Sequence, residues 1–529
     1  MSLRRASLAL VFSSLCGAAA TAQGFVEPFE GGLRWTHAAS LGEPWIPTRV
    51  AFAAGAELVW AGTGGANRRL LVIDAPQGGV VQPCLSGELS GQDNVLDVEA
   101  RAGASRLYSL TQQPDPDPFH RRSLLSRRDV LEVSRGASFD PRWSFACDFV
   151  ANGPACMAVD EFGAQLALAV WKDAPAGVRV HRVDGESGAL LDQVDLPAAS
   201  LESLAISGDG RVIAVGLGRG VTVLDEAGSV LPLLPPAGQA FELALDGDGS
   251  RLVVGSPQEL RVYDFDGASF ALTQTHTGGP DEAPLRVALS SDGEAYAGAW
   301  YRYTQNDRLL CRLYDGTDHQ VVAGYEQLGA PGGLQNSPAG LELSADGRRV
   351  AFASWGRGDD APEVVLLERG VAEPLLEVDL PGSALAIDLA PDGEAVAVAA
   401  KNLHANQIGT TGEVRLYRTG EADLEQLAPA RLGGSLELAS RHPGASVSLF
   451  LVGNRAAQPA LLFGAELHLV RDARLRVFAR AADAEGRAAL SLPLSAHPSV
   501  AGAAFAAQAA HRVSGSIELG SSVLEPLVH

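Results

Sequence analysis

Lysine is almost absent from this sequence, which contains only Lys172 and Lys401 among its 529 residues. Arginine therefore makes up nearly all of the 41 basic residues, and 63 acidic residues bring the formal net charge to −22. A protein that tracks phosphates needs a basic face to neutralise them. The only basic cluster is a short run of arginines between residues 121 and 128. The composition therefore argues against nucleic acid as a partner.

Long apolar runs are lacking too. A transmembrane helix needs about 20 apolar residues, whereas the longest candidate, Ala6–Ala20, is shorter and is interrupted by serines. This stretch follows two arginines and ends at Ala20-Thr21-Ala22, the pattern of a cleaved secretory signal. We therefore predict a signal peptide over residues 1–22 and a secreted or periplasmic protein without a membrane span.

Cysteine is scarce as well, since only Cys84, Cys147, Cys156 and Cys311 follow the predicted signal. Export permits disulfides. Residues 152–154, Asn-Gly-Pro, predict a turn that would bring the strands of Cys147 and Cys156 together, so this pair is the preferred disulfide. Two buried free thiols are the alternative. No Cys-x-x-Cys or clustered Cys/His spacing predicts a metal site.

Familiar catalytic motifs are missing. The chain has no Gly-x-Ser-x-Gly elbow, no His-Glu-x-x-His helix and no phosphate-binding glycine loop. The sequence therefore predicts no catalytic residue and no cofactor. Calcium stays open, but no spaced loop of oxygen ligands supports it. Whether the protein is an enzyme also stays open, with a non-enzymatic role favoured.

What the chain has in abundance is glycine, 59 residues, and a repeat built around it. Each copy is an apolar strand, an Asp-Gly turn and a second apolar strand. Glycine accepts the positive φ of a tight turn, and the preceding aspartate can hydrogen-bond nearby backbone. We therefore interpret the aspartates as turn formers and not as metal ligands or catalysts. The five best copies are residues 204–216, 243–255, 287–300, 341–355 and 387–400, with Asp209, Asp248, Asp292, Asp346 and Asp392.

Degenerate copies at 50–62, 98–110 and 159–171 extend the series to eight. A third strand follows most copies, and a fourth segment leads to the next one. Four short strands repeating at intervals of 39 to 60 residues are typical of a β-propeller blade. The turn glycines are Gly55, Gly103, Gly163, Gly210, Gly249, Gly293, Gly347 and Gly393.

These strings resemble the WD40-like and TolB-type propeller repeats, whose inner hairpin carries Ser-Pro-Asp-Gly. Residues 390–393, Ala-Pro-Asp-Gly, keep the proline, and residues 248–267 resemble the FG-GAP variant. The resemblance covers about 50–420 and implies an all-β propeller of about eight four-stranded blades, with seven as the alternative. The last blade would be completed either by residues 32–41 or by residues 421–428.

Beyond about Pro429 the Asp-Gly hairpins stop and a different strand pattern begins. The boundaries we predict are residues 1–22 for the signal, 23–428 for the propeller and 429–529 for a C-terminal β-sandwich. The alternating strands of this last segment resemble the small sandwich tails of large exported bacterial proteins. Strands are expected near 435–441, 446–453, 468–481, 486–494, 503–512 and 514–520.

Three tryptophans recur in register, seven or eight residues after a turn glycine. At that distance the second strand reaches the rim opposite the turns, where loops of a rigid scaffold commonly bind ligands. An aromatic and polar rim would suit a protein or carbohydrate ligand, whereas packing between blades is the alternative role. The candidate rim residues are Trp171, Lys172, Trp300, Tyr301, Arg302, Tyr303, Asn306, Trp355, Arg357, Asp359, Asn402 and His404.

Together these features predict an exported, non-enzymatic scaffold that binds protein or glycan at the cell envelope or outside the cell. The alternative is an exported hydrolase or lyase with a divalent metal in the central channel. Acidic, histidine or asparagine side chains converging near the axis would favour the enzyme.

Overall fold

A computed structural model gives the fold of most of the chain. The described residues are 33–38, 45–53, 58–64, 70–74, 80–84, 94–101, 106–114, 120–129, 141–151, 154–173, 176–234, 238–305, 308–328, 336–356, 361–391, 393–404, 409, 411–418, 424–428, 435–441, 445–453, 455–462, 465–469, 475–483, 487–494, 506–513 and 516–524. All regular structure in these ranges is β-strand, which confirms the predicted all-β class. They contain no helix that could cross a membrane.

The chain divides into two compact units, a larger one over Leu33–Thr419 and a smaller one that includes Gly420–His529. The described strands of the larger unit form eight small sheets, numbered here in chain order. Strand β1 (Leu33–Ala38) comes first in the chain and belongs to sheet 8. The first four sheets are sheet 1, β2 (Ile46–Ala53), β3 (Leu58–Gly64), β4 (Leu70–Asp74) and β5 (Val80–Cys84); sheet 2, β6 (Asn94–Arg101), β7 (Arg106–Pro114), β8 (His120–Asp129) and β9 (Trp143–Ala151); sheet 3, β10 (Ala155–Val159), β11 (Gln165–Asp173), β12 (Ala176–Asp184) and β13 (Leu190–Leu196); and sheet 4, β14 (Leu201–Ile206), β15 (Ile213–Leu217), β16 (Gly220–Leu224) and β17 (Val230–Leu231). The other four are sheet 5, β18 (Leu233–Leu234), β19 (Glu242–Leu245), β20 (Arg251–Ser256), β21 (Glu259–Phe265) and β22 (Phe270–Thr277); sheet 6, β23 (Glu282–Leu289), β24 (Ala295–Arg302), β25 (Arg308–Asp315) and β26 (Val321–Leu328); sheet 7, β27 (Pro338–Leu343), β28 (Arg349–Ser354), β29 (Val364–Glu368) and β30 (Leu376–Val378); and sheet 8, which adds β31 (Ala384–Leu389), β32 (Ala395–Lys401) and β33 (Gly412–Arg418) to β1.

The strands of each sheet lie side by side in chain order and pair antiparallel, with two exceptions. Strand β1, from the start of the unit, lies beside β33 at the edge of sheet 8. Strand β18 leaves the edge of sheet 4 and pairs parallel with β22 of sheet 5, Leu233 opposite Phe270. All eight predicted hairpins are formed, and in sheet 5 the hairpin strands are β19 and β20. The first strand of each hairpin is called the first strand of its sheet. The degenerate copy at 98–110 is thus regular, since it forms most of the β6–β7 hairpin.

The turn chemistry between the first two strands follows the prediction. In sheet 4 the Gly210 amide donates to the Ser207 carbonyl at 2.9 Å, and Asp209 accepts from the Arg211 amide at 3.0 Å. Asp248, Asp292 and Asp346 accept from the amide two residues ahead in the same way. Six turn glycines have positive φ, namely Gly163, Gly210, Gly249, Gly293, Gly347 and Gly393, whereas Gly55, Gly103 and Asp392 lie outside the described residues.

Neighbouring turns are also bonded to one another. The Glu161 amide of sheet 3 donates to the Gly208 carbonyl of sheet 4 at 3.0 Å, and the Asp209 amide donates to the Gly247 carbonyl of sheet 5 at 2.7 Å. The Gly247 amide in turn donates to Ser291 of sheet 6 at 2.7 Å. The turns therefore link consecutive sheets as well as reversing the chain.

Arginine side chains make a second link between sheets. Each reaches from one sheet to the carbonyl of the turn glycine in the next. The pairs are Arg106 with Gly163, Arg182 with Gly210, Arg251 with Gly293 and Arg349 with Gly393. Because the donor and acceptor belong to different repeats, nothing in one repeat predicts this contact.

Apolar cores lie between consecutive sheets. Leu252 and Val254 of β20 pack in a cluster with sheet 4, whereas Val253 between them packs in a cluster with sheet 6. This alternation is why the strands are continuously apolar, since both of their faces are buried. Buried clusters of this kind join sheets 2 and 3, 3 and 4, 4 and 5, 5 and 6, 6 and 7, 7 and 8, and 8 and 1.

The first strands of the sheets contact one another in series, β2 with β6, β6 with β10 and so on to β27 with β31, and β31 contacts β2. Strand β1 pairs with β33, with Leu33 opposite Tyr417. Of the two predicted ways to complete the last sheet, the N-terminal segment is therefore the one used. Residues 424–428 pair with a strand of the smaller unit instead.

The smaller unit has three sheets in its described part. Its strands are β34 (Leu424–Ala428), β35 (Ser435–Arg441), β36 (Ala445–Gly453), β37 (Arg455–Leu462), β38 (Ala465–Leu469), β39 (Arg476–Ala481), β40 (Arg487–Pro493), β41 (Ala506–Val513) and β42 (Ser516–Leu524). One sheet has the order β34-β35-β40, another β39-β36-β41-β42, and β37 pairs with β38. Leu438 and Leu490 of the first share a buried cluster with Phe450 and Ala509 of the second. The single strand predicted over 468–481 is wrong, because β38 and β39 are separate strands in different sheets.

Candidate functional site

The first strands of all eight sheets contribute residues to the lining of one cavity of about 880 Å³, which we call the channel. Every sheet contributes to its wall. The strand segments that line it are 49–52, 97–99, 156–159, 202–206, 241–245, 286–289, 339–343 and 385–389. Sequence analysis placed the candidate ligand contacts at the rim opposite the turns and named none of these wall residues as a ligand contact.

A β-bulge recurs near the start of the lining strands. The pairing register shifts across Thr48, Leu96 and Leu285, so that Arg49, Asp97 and Arg286 take equivalent positions in sheets 1, 2 and 6. The same shift occurs in sheets 4, 7 and 8. Bulges of this kind commonly re-aim a side chain beside a functional site. A charged residue six or seven positions before a turn glycine is the sequence signal that marks these side chains.

Two ion pairs with long N–O distances involve the residues at these bulge positions in the channel wall. Arg49 Nε is 3.5 Å from Asp97 Oδ1, and Arg286 Nε is 3.9 Å from Glu242 Oε2. Glu242 also accepts from the Val287 amide at 3.2 Å. Burial raises the pKa of Glu242, and the charge of Arg286 only partly opposes this. Both guanidinium groups also donate to backbone carbonyls, Arg49 to Thr48 at 2.8 Å and Arg286 to Leu285 at 2.9 Å and Ala339 at 3.2 Å.

Cys156 lies at the equivalent position of sheet 3. Burial raises the pKa of its thiol to about 12, with a further contribution from Asp97, while Arg49 acts in the opposite direction. The thiol is therefore neutral at physiological pH and is a poor nucleophile. Cys156 and Cys147 are both free thiols in the structure, and their disulfide stays a prediction. Cys147 lies on β9 of sheet 2, whereas Cys156 lies on β10 of sheet 3.

Carboxylates occupy the next level of the channel in three of the sheets. Glu99, Glu342 and Asp388 stand two residues beyond the bulge position, and Asp388 accepts from the Phe52 amide of sheet 1 at 2.6 Å. The other five sheets have alanine at this level, namely Ala51, Ala158, Ala205, Ala244 and Ala288. The channel wall therefore combines acidic groups with small side chains.

At the turn end of the channel two sheets approach each other. Ser291 Oγ of sheet 6 donates to Glu161 Oε2 of sheet 3 at 3.2 Å. Two glycines of the intervening sheets make room for this contact. A Cβ at Gly208 would lie 3.1 Å from the Glu161 carboxylate, and one at Gly247 only 2.6 Å from the Ser291 carbonyl. The turn end is thus narrowed by side chains of sheets 3 and 6.

The predicted aromatic rim is largely buried. Trp300 and Tyr301 are only 2% and 4% exposed, because β24 is covered on both faces, with Trp300 toward sheet 5 and Tyr301 toward sheet 7. The structure therefore places both side chains in cores between sheets, and their role as ligand contacts stays a prediction. Trp171 and Trp355 are half-buried, and the Trp355 amide donates to the Ser337 carbonyl at 3.0 Å. Tyr303 is about half exposed.

The charged rim residues are engaged in ion pairs. Lys172 Nζ is 2.6 Å from Asp195 Oδ2, and Arg302 Nη2 is 3.2 Å from Glu282 Oε1. Asn402 is exposed beside the loop that follows β32. The candidates Asn306, Arg357 and Asp359 lie outside the described residues.

His404, also predicted at the rim, lies against a buried carboxylate. Its Nδ1 is 3.7 Å from Oε1 of Glu363, which is fully buried and accepts from the Leu380 amide at 2.6 Å through Oε2. This pair joins sheet 8 to sheet 7. Glu363 was missed in the sequence, where its only signal is a single charge at the start of an apolar run.

No group of three His, Cys, Asp or Glu side chains that could hold a metal ion occurs in the part of the chain that the structure describes. No family model matches the chain, and no curated protein matches its sequence.

Proposed function

We propose that the larger unit is an eight-bladed β-propeller, with the eight sheets as its blades. The serial contacts of the first strands, returning from β31 to β2, support this arrangement. So does the pairing of β1 with β33, because it joins both ends of the unit in one blade. We propose further that the smaller unit is a β-sandwich, on the basis of the buried cluster that two of its sheets share.

The function best supported is that of an exported, non-enzymatic scaffold that binds a protein or glycan ligand in the channel. The observation that carries this proposal is the charged wall to which every sheet contributes. Arg49 and Arg286 are only loosely paired, and a polar ligand can replace carboxylates at such positions through bidentate contacts. A pocket of this volume is within the usual range for ligand sites. Export rests on the predicted signal at residues 1–22.

The experiment is binding of the purified chain to peptide and glycan arrays, followed by affinity measurement on the strongest hits. We expect Arg49→Gln combined with Arg286→Gln to weaken binding by about tenfold or more, which corresponds to a loss of about 1.4 kcal/mol. Arg179→Gln is the matched control, because Arg179 forms a similar ion pair with Asp195 on the outer part of sheet 3. Equal affinity of the channel variant and the control would contradict a channel site.

The alternative is an exported hydrolase or lyase with a divalent metal in the channel, and the carboxylates of Glu99, Glu342 and Asp388 are the observation that favours it. Metal analysis of the purified protein, with thermal melts in the presence and absence of a chelator, separates the two proposals. Stoichiometric calcium or zinc whose removal lowers the melting temperature would favour the enzyme. A metal-free protein with an unchanged melt would favour the scaffold.

A further inference from the structure

A cluster of two histidines and two tyrosines lies between sheets 5 and 6, away from the channel. Tyr296 Oη is 2.7 Å from His276 Nε2 and 3.0 Å from His319 Nδ1. Tyr296 and Tyr314 are buried, while both histidines are half-buried. One phenol oxygen is therefore held between two imidazole nitrogens.

The two contacts cannot be of the same kind, because a phenol has one proton to donate. The contact of 2.7 Å has the length usual for an O–H donor, and that of 3.0 Å the length usual for an N–H donor. In the pair of tautomers that matches these lengths, Tyr296 donates to His276 Nε2 and His319 Nδ1 donates to Tyr296.

His276 is neutral at physiological pH and can accept that proton. Burial lowers its pKa to about 4, with a smaller contribution from His319 and a still smaller one from Arg312. Burial likewise lowers the pKa of His319 and raises that of Tyr296. The resting state is therefore a protonated phenol facing a neutral base.

The backbone conformation of His319 is energetically unfavourable. His319 has a φ of +61°, in the left-handed region that residues other than glycine rarely adopt. Its amide donates to the Asp315 carbonyl at 3.0 Å, which fixes the turn after β25. Strain of this kind clusters at functional positions, and here it places the imidazole against Tyr296.

A second aromatic ring lies parallel to the first. Tyr314 pairs with Tyr296 across β24 and β25, with ring centroids 5.0 Å apart and an interplanar angle of 13°. The His276 ring stacks on Tyr314 at 4.2 Å. The Tyr296, Tyr314 and His276 rings therefore form one packed group.

We propose that Tyr296 is a site of reversible one-electron oxidation, coupled to proton transfer to His276. A strong one-electron oxidant, such as a high-valent metal complex, takes one electron from the phenol. The Oη–H bond breaks, a bond forms between the proton and His276 Nε2, and a neutral phenoxyl radical remains with an imidazolium beside it. Reduction by one electron returns the proton to the oxygen. This inference does not rest on the proposed ligand site.

The chain supplies a matched control in Tyr263, which is also buried in sheet 5. Its Oη accepts from Arg261 Nη1 at 3.4 Å. A guanidinium cannot accept a proton. Tyr263 therefore has comparable burial but a cationic neighbour where Tyr296 has a base.

The experiment is flash oxidation of the full chain by a photogenerated ruthenium(III) polypyridyl complex, with the radical detected by absorption and electron paramagnetic resonance. We expect a phenoxyl signal of parental yield in Tyr263→Phe and a clearly lower yield in Tyr296→Phe, where exposed tyrosines such as Tyr303 supply the remaining signal. In His276→Gln we expect radical formation to slow by roughly 100-fold, the scale of a lost general base. Circular dichroism and thermal melts check that each variant is folded.

A phenoxyl signal of parental yield in Tyr296→Phe would overturn the proposal, since the radical would then lie elsewhere. An unchanged rate in His276→Gln would also overturn it, because the histidine would then serve packing alone. If free imidazole restores the rate of radical formation in His276→Gln, the slow rate was caused by the lost proton acceptor and not by a lost ring contact.

Discussion

Arg251 of sheet 5 donates through Nη1 to the carbonyl of Gly293, the turn glycine of sheet 6, at 2.6 Å. The same nitrogen also donates to the Gly316 carbonyl at 2.9 Å, and Nε bonds Asp264 within sheet 5 at 2.7 Å. The Arg251 side chain thus links a turn of sheet 6 to sheet 5. Because Arg106, Arg182 and Arg349 make equivalent contacts, these arginines contribute to stability between sheets and not only within them.

Replacing Arg251 by Met is expected to lower the free energy of unfolding by about 2 kcal/mol, because two turn carbonyls lose a charged donor and Asp264 loses its partner. The measurement is denaturant unfolding at neutral pH. Arg211→Met is the control, since Arg211 is about two-thirds exposed and makes only a loose pair with Asp209. Equal stability of the two variants would show that the contact between sheets contributes nothing.

Replacing Gly210 by Ala tests the turn conformation. Gly210 has a φ of +76°, and a Cβ there would also lie 3.0 Å from Asp160 Oδ2. We expect a loss of about 1–2 kcal/mol from backbone strain alone, and a greater loss from the crowding. Gly267→Ala separates the two effects, because Gly267 has a φ of +94° but nothing within 4 Å of its Cβ position. Denaturant midpoints should fall further for Gly210→Ala, and the reverse order would contradict the crowding.

The burial of His181 predicts that the folded protein loses stability in mild acid. It is 6% exposed, and burial lowers its pKa to about 4, assisted by the charge of Arg179. The unfolded chain binds a proton below about pH 6.5, while the folded chain does so only near pH 4, so stability falls as the pH drops through this window. The contribution at pH 4 is roughly 3 kcal/mol.

Unfolding free energies of the parent and of His181→Gln at several pH values between 7.5 and 4 provide the measurement. The variant should lose less stability across the window than the parent does. The comparison at pH 7.5 is the internal control, because His181 is neutral there in both folded and unfolded chains. Parallel pH profiles for the two proteins would count against burial of a neutral imidazole.

Deleting β1 should destabilise the larger unit. Without residues 33–38 the outer edge of β33 loses its partner strand, and an exposed edge invites pairing with other chains. We expect a lower melting temperature and association detectable by light scattering. A chain that begins at residue 33 is the control and should keep the parental melt. An unchanged melt after removal of β1 would mean that this pairing adds no stability.

The sequence was sufficient to predict the hairpins but not the contacts between repeats. The Asp-Gly turns are local, since the hydrogen bonds that define them join residues within about five positions, as in Ser207–Val212. The contacts of Arg251 with Gly293 and of His404 with Glu363 join separate repeats, whose relative placement no local pattern encodes.

Two predictions about single residues depended in the same way on the neighbouring repeat. Trp300 was placed at an exposed rim from its distance to a turn glycine, but β24 is covered on both faces by neighbouring sheets. Cys147 and Cys156 were paired from the Asn-Gly-Pro sequence between them, but their strands β9 and β10 belong to different sheets. In both cases the surroundings of the residue depend on the neighbouring sheet, which the local sequence pattern does not show.

The pairing of Leu33 with Tyr417 has a consequence for how the chain reaches its folded state. Strand β1 is the first strand of the larger unit to leave the ribosome, and its partner β33 is the last. Long-range pairing of this kind slows folding, because the ends must meet before the contact contributes. Until β33 is made, β1 lacks this partner strand, so sheet 8 stays incomplete for almost the whole synthesis of the larger unit.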